Sequence, residues 1–205
     1  MWAHQFKQEF VRAAQCGELE RVQQMLLEIP QKEKGSNVTQ EKLVNSALLG
    51  AVLCNHVEVV KHLVPLATNK KECADALIHA SSLVDTRCLQ VLIGVRFRKT
   101  AMFDAMYRAI THRNMPAVRI LAQRMQHWDL SEIFLSALND RLYDCADIVF
   151  EHSTTTGIET ILNNPHAVYE HAHAIAQEKL AIRRVHAELT RATTDPTRSP
   201  ALRKM

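Results

Sequence analysis

Glycine and proline are scarce, five and six in 205 residues, and an all-β chain, which must turn often, needs more of both. No run of 18 apolar residues occurs, so no membrane-spanning helix is expected. The opening segment, MWAHQFKQEF, has no basic stretch followed by an apolar one and does not read as a secretory signal. Neither sign of charge dominates. The net charge is +3, without the clustered basic stripe of a dedicated nucleic-acid binder. The five cysteines, Cys16, Cys54, Cys73, Cys88 and Cys145, are odd in number and form no CxxC pair. They read as reduced thiols in a cytosolic chain, three of them (Cys54, Cys88, Cys145) at places that suit a small apolar residue. GxSxG, GxGxxG, a glycine-lysine phosphate loop and HExxH are all missing.

What is present favours helix. The apolar share is 47%, and Ala, Leu, Glu, Gln, Lys and Arg, the better helix formers, are plentiful. The clearest stretch is Val44 to Ala67. Leu48, Ala51 and Val52 make one apolar face, Val57, Val60, Leu63 and Val64 another, with Asn55-His56 between them as a turn. A short helical hairpin of this kind needs neighbours of the same shape to bury its face.

The chain supplies them. A small residue near the end of each first helix recurs as Ala13, Ala51, Ala80, Ala109 and Ala137, at spacings of 38, 29, 29 and 28. After each marker come a break, an apolar residue (Val22, Val60, Leu89, Val118, Ala146) and an apolar pair (Leu26-Leu27, Leu63-Val64, Leu92-Ile93, Leu121-Ala122, Val149-Phe150). The long first spacing is read as a polar loop insertion, Pro30 to Thr39.

The segment Ala13 to Glu28, AAQCGELERVQQMLLE, resembles the helix-turn-helix core of the ankyrin repeat. Gly17 stands at the inter-helix turn, and Leu19, Val22, Leu26 and Leu27 match the apolar second helix. Asn55 and VEVVKHLV (Val57–Val64) repeat the match, asparagine sharing glycine's tolerance of left-handed backbone. The Thr-Pro-Leu-His start is absent, and the spacing is shorter than the usual 33. Both departures imply that the projecting hairpins are trimmed to loops. Arrays of tetratricopeptide or HEAT type are the competing folds, and short helices of two to three turns would favour the ankyrin-like reading. The expected fold is all-α: an α-solenoid of about five helix-turn-helix units over residues 1–152, capping helices over 153–192 and a flexible tail over 193–205. Trp2 and Phe6 are expected to cover the open end of the first unit. The last helix, from His166 to about Ala192, is expected to lie over the fifth unit; a coiled-coil or partner-binding helix is the alternative.

Chemistry is sparse. His171 and His173 lie two apart on one helix and diverge, so a shared metal ion is disfavoured. Cys54-Asn55-His56 reads as turn chemistry rather than a thiolate-imidazole pair. No metal or cofactor is expected. The resemblance implies that first helices line a concave face. The residues before each marker (Arg12, Gly50, His79, Arg108, Ser136) and three after it (Cys16, Cys54, Leu83, His112, Asp140) would point there. Arg12, His79, Arg108, His112 and Asp140, flanked by Tyr107, then form the candidate partner-binding groove. The expected function is a non-enzymatic module binding a protein partner. Divergent ankyrin-like chains of this length resemble bacterial effectors and large-virus proteins, which implies a cytoplasm, including that of a host cell. Two alternatives stand beside it: an enzyme using His79, His112, Cys54 and Arg108, and a weak nucleic-acid binder using Arg96-Phe97-Arg98-Lys99 and the basic tail.

Overall fold

The computed structural model describes residues 2–32, 40–67, 70–125, 129–164 and 170–194. Among these it contains twelve α-helices, one 3-10 turn (Val64–Leu66) and no strand. The helices are α1 (Trp2–Cys16), α2 (Leu19–Lys32), α3 (Gln40–Leu53), α4 (Val57–Leu63), α5 (Lys70–Ser82), α6 (Arg87–Leu92), α7 (Lys99–Thr111), α8 (Met115–Arg124), α9 (Ser131–Asn139), α10 (Tyr143–Glu151), α11 (Thr155–Leu162) and α12 (Glu170–Thr194). No helix among the described residues is long and apolar enough to cross a membrane. The chain divides into two compact units, Met1–Trp128 and Asp129–Met205.

Helices α1 to α10 form five consecutive pairs in a common register. The five marker alanines are buried, as are Phe10, Leu48, Leu77, Met106 and Phe134 three residues earlier and Val22, Val60, Leu89, Val118 and Ala146 nine residues later. Each large apolar side chain so enclosed contributes about 1.5–3 kcal/mol. Twelve residues after the marker come Met25, Leu63, Leu92, Leu121 and Val149, also buried. This corrects the first pair. Its buried partner to Val22 is Met25, whereas Leu27 is 78% exposed. Two adjacent leucines drew the register one residue too far.

Four of the five turns share one geometry. The residue four after the marker takes a left-handed backbone: Gly17 (φ 77), Asn55 (φ 58), Arg113 (φ 52) and Arg141 (φ 60). The next N–H returns to the marker carbonyl, as from Glu18 to Ala13 at 2.9 Å and from Asn114 to Ala109 at 2.9 Å. This double reversal satisfies the last carbonyls of the first helix. The third pair cannot use it, because that position is Val84, and β-branched residues resist positive φ. There the Ser81 and Ser82 hydroxyls donate to the Ile78 and His79 carbonyls instead. Val84 is left 94% exposed.

In the first compact unit α1 packs on α3, α3 on α5 and α5 on α7, while α2 packs on α4 and α4 on α6. Polar side chains also tie successive turns together. His56 Nε2–H donates to the Gln15 carbonyl at 2.7 Å, Asn55 Nδ2 donates to Asp85 at 2.8 Å, and Asn114 Nδ2 donates to the Ser81 and Leu83 carbonyls. Arg87, then Asn55, hold the Asp85 carboxyl well below the usual carboxylate range. Asn55 and His56 therefore serve as turn residues that tie one helical hairpin to the next. The helices α4, α6, α8, α9 and α10 run 6 to 10 residues, the expected two to three turns. However, α1, α2, α3, α5 and α7 run 13 to 15 residues, longer than expected, so helix length does not favour the ankyrin-like fold over the competing arrays. Helix α2 also continues through Pro30 to Lys32, where a loop was expected to begin. The rest of that insertion, the Trp2 side chain, the start of the last helix at 166–169 and the tail beyond 194 lie outside the described residues.

In the second compact unit α9 packs against α10, α11 and α12. Thr154 caps α11 by accepting from Gly157 N–H at 3.0 Å, so Thr155 to Gly157 form the first helical turn. Asp129 accepts from Ser131 N–H, Ser131 Oγ and Thr154 N–H, joining the starts of α9 and α11. Only the first half of α12 is packed, through Ala172, Ala176 and Leu180. The Arg183 guanidinium lies 3.6 Å from the centre of the Phe150 ring and donates to the Phe150 and Ser153 carbonyls. Lys179 pairs with Asp147 and Arg184 with Glu159. Beyond them Ile182, Val185 and Leu189 are exposed, although the whole helix was expected to lie over the fifth unit.

Candidate functional site

The site begins with helical periodicity. On a first helix the residues one before and three after the marker lie about 40° apart around the axis, away from the buried marker. In the first compact unit this places Arg12 on α1, His79 on α5 and Arg108 on α7, with His112 just after α7. Arg12, Arg108 and His112 are exposed, and His79 is half-buried, as is Tyr107 beside Arg108. Gly50 breaks the series. It is buried, and a Cβ there would lie 2.9 Å from Gln15 Cγ, so α1 and α3 approach closely at this level. Asp140 is exposed at the end of α9, in the second compact unit.

One turn toward the N-termini of α5 and α7, the same helices wall a cleft of about 740 Å³. Asp75 and Asp104 line it, and each lies four residues before a candidate, Asp75 before His79 and Asp104 before Arg108. Such residues are neighbours on one helix face. The short segment between α6 and α7 brings Arg96, Phe97 and Arg98 to the cleft, and Ile78 adds apolar surface. Buried Cys73 is also at the wall, and burial pushes its thiol up. Cys88, likewise buried, is pushed up to about 11. Both favour the neutral thiol at neutral pH.

In the sequence Arg96-Phe97-Arg98 stand as a basic cluster apart from Asp75 and Asp104. The signal was there: the two aspartates occupy the same position, five before their markers, 29 residues apart. None of His79, His112, Cys54 and Arg108 lines this cleft, and among the described residues no side-chain hydrogen bond joins any two of them. Among the described residues no three His, Cys, Asp or Glu side chains are grouped to hold a metal ion. His171 Nε2 shares a 2.9 Å hydrogen bond with Tyr143 Oη. Comparison with protein-family models, curated sequences and solved structures returned no match.

Proposed function

We propose that this chain is a non-enzymatic protein-interaction module: an α-solenoid of ankyrin-like repeats with reduced hairpin loops, closed by C-terminal capping helices. The face of its first helices engages a protein partner. The observation that carries this reading is the ordered row α1, α3, α5, α7, with unburied polar residues at equivalent positions of α1, α5 and α7. Its arginines and the half-buried Tyr107 are residue types favoured where proteins meet. Short connections and hydrogen-bonded turns make such a face preformed, which lowers the ordering cost of binding. On this reading the chain works in a cytoplasm, that of a host cell included.

The test is capture of partners from a cell lysate by the wild type and by the triple variant Arg12→Glu, His79→Glu, Arg108→Glu, matched in melting temperature. Loss of a captured protein in the variant supports the reading. Full retention of the same protein by the folded variant contradicts it.

A further inference from the structure

The cleft between α5 and α7 holds charges of both signs. Arg96 and Arg98 line it, as do Asp75 and Asp104. Among the described residues, none of these four side chains makes an ion pair or a side-chain hydrogen bond. Elsewhere in the same unit exposed charges do pair, as Arg21 with Glu9 and Arg87 with Asp85. Phe97 and Ile78, both half-buried, supply apolar wall in the same cleft. Lys71 is there too and already has an interaction of its own.

Each feature narrows the occupant. A volume of about 740 Å³ suits several side chains of an extended segment. Two guanidinium groups offer forked donors to a carboxylate. Two carboxylates on the facing helices accept from an ammonium or guanidinium. A phosphate backbone, which presents negative charge only, would bring its anions against Asp75 and Asp104. A wholly acidic peptide meets the same repulsion, and a wholly basic one meets Arg96 and Arg98. Placing like charges together suppresses wrong partners as effectively as pairing opposite ones selects right ones.

We infer that this cleft binds an extended segment of a protein partner carrying an acidic and a basic side chain with an apolar residue between them. The acidic group lies against Arg96 and Arg98, the basic group against Asp75 and Asp104, and the apolar residue on Phe97 and Ile78. The inference rests on the interaction-module reading and adds the chemistry of what is recognised.

The test is selection of a displayed library of random nonapeptides on the full chain and on the double variant Arg96→Glu, Arg98→Glu. A fluorescein-labelled single-stranded 12-mer DNA is titrated in parallel. The expected result is enrichment by the wild type of peptides with one acidic and one basic residue around an apolar one. Their affinity should fall at least tenfold in the double variant and weaken with added salt. If the double variant does not keep the wild-type melting temperature, Arg96→Gln, Arg98→Gln replaces it, with the same tenfold fall expected. Peptides enriched without a charge pattern, or bound equally by the variant, overturn the inference and leave the interaction-module reading standing. No enriched peptide also overturns it, and that reading then rests on partner capture alone. Tighter binding of the DNA than of the best peptide overturns it in favour of nucleic acid.

Discussion

Arg113 and Arg141 hold the left-handed bend that glycine holds at position 17. For a non-glycine residue that conformation costs about 1–2 kcal/mol, partly offset by the entropy glycine loses on folding. Arg113→Gly is therefore expected to raise the unfolding free energy by about 0.5–1 kcal/mol, read as a higher urea midpoint at unchanged slope. Gly17→Ala should do the reverse, because its φ is 77° and its Cβ would fall 2.5 Å from His56 Nδ1. Asn45 is a second residue-scale target. It is buried in α3, and neither its Nδ2 nor its Oδ1 has a hydrogen-bond partner. An unsatisfied buried amide costs about 1–3 kcal/mol. Asn45→Leu is expected to recover most of that in the same urea experiment. The left-handed Gly17 and Asn55 were legible in the sequence because glycine and asparagine advertise the conformation. The two arginines were not, since nothing in an arginine side chain signals a positive φ and only its place in the repeat does.

At the scale of elements, side chains rather than extra apolar area fasten the ends. Asn114 is buried and serves three backbone groups, the Ser81 and Leu83 carbonyls and the Ala117 N–H. Asn114→Ala leaves buried groups unpaired, and a loss of about 2–3 kcal/mol is expected by chemical denaturation. Asp129 plays a comparable part between α9 and α11. Burial works to raise its carboxyl, but the hydrogen bonds from Ser131 and Thr154 outweigh it and hold the group below its ordinary value of 3.8. A depressed folded value means that the native state binds fewer protons. The stabilisation is complete above the ordinary value and is lost as pH falls through the lowered one. The stability gap between wild type and Asp129→Asn should therefore close as pH drops below about 4, measured by urea melts across that range. The sequence showed the existence of α12 but not how it is divided. The whole helix was expected to lie over the fifth unit, whereas the packed half ends near Leu180 and Arg183 closes the contact through the Phe150 ring and two carbonyls. That ending depends on residues some thirty positions away, which local periodicity does not contain.

For the molecule as a whole, the period of 28 to 29 residues carried most of the information. It relates four of the marker alanines, Ala13 lying 38 residues before the next, and all five markers and the apolar positions nine residues after them are buried. It also placed Arg12, Arg108 and His112 on exposed positions. The cleft was less legible because it is assembled from α5, α7 and the segment before α7. Its aspartates and arginines meet only when helices 29 residues apart lie side by side. The exposed Ile182, Val185 and Leu189 of α12 give the account a competing surface. The most direct test is calorimetric titration of a captured partner into three matched proteins: wild type, the Arg12→Glu, His79→Glu, Arg108→Glu variant, and an Ile182→Ser, Val185→Ser, Leu189→Ser variant. The account predicts at least tenfold weaker binding in the first variant and wild-type binding in the second. Wild-type binding in the first and weakened binding in the second would contradict it and move the working surface to the last helix.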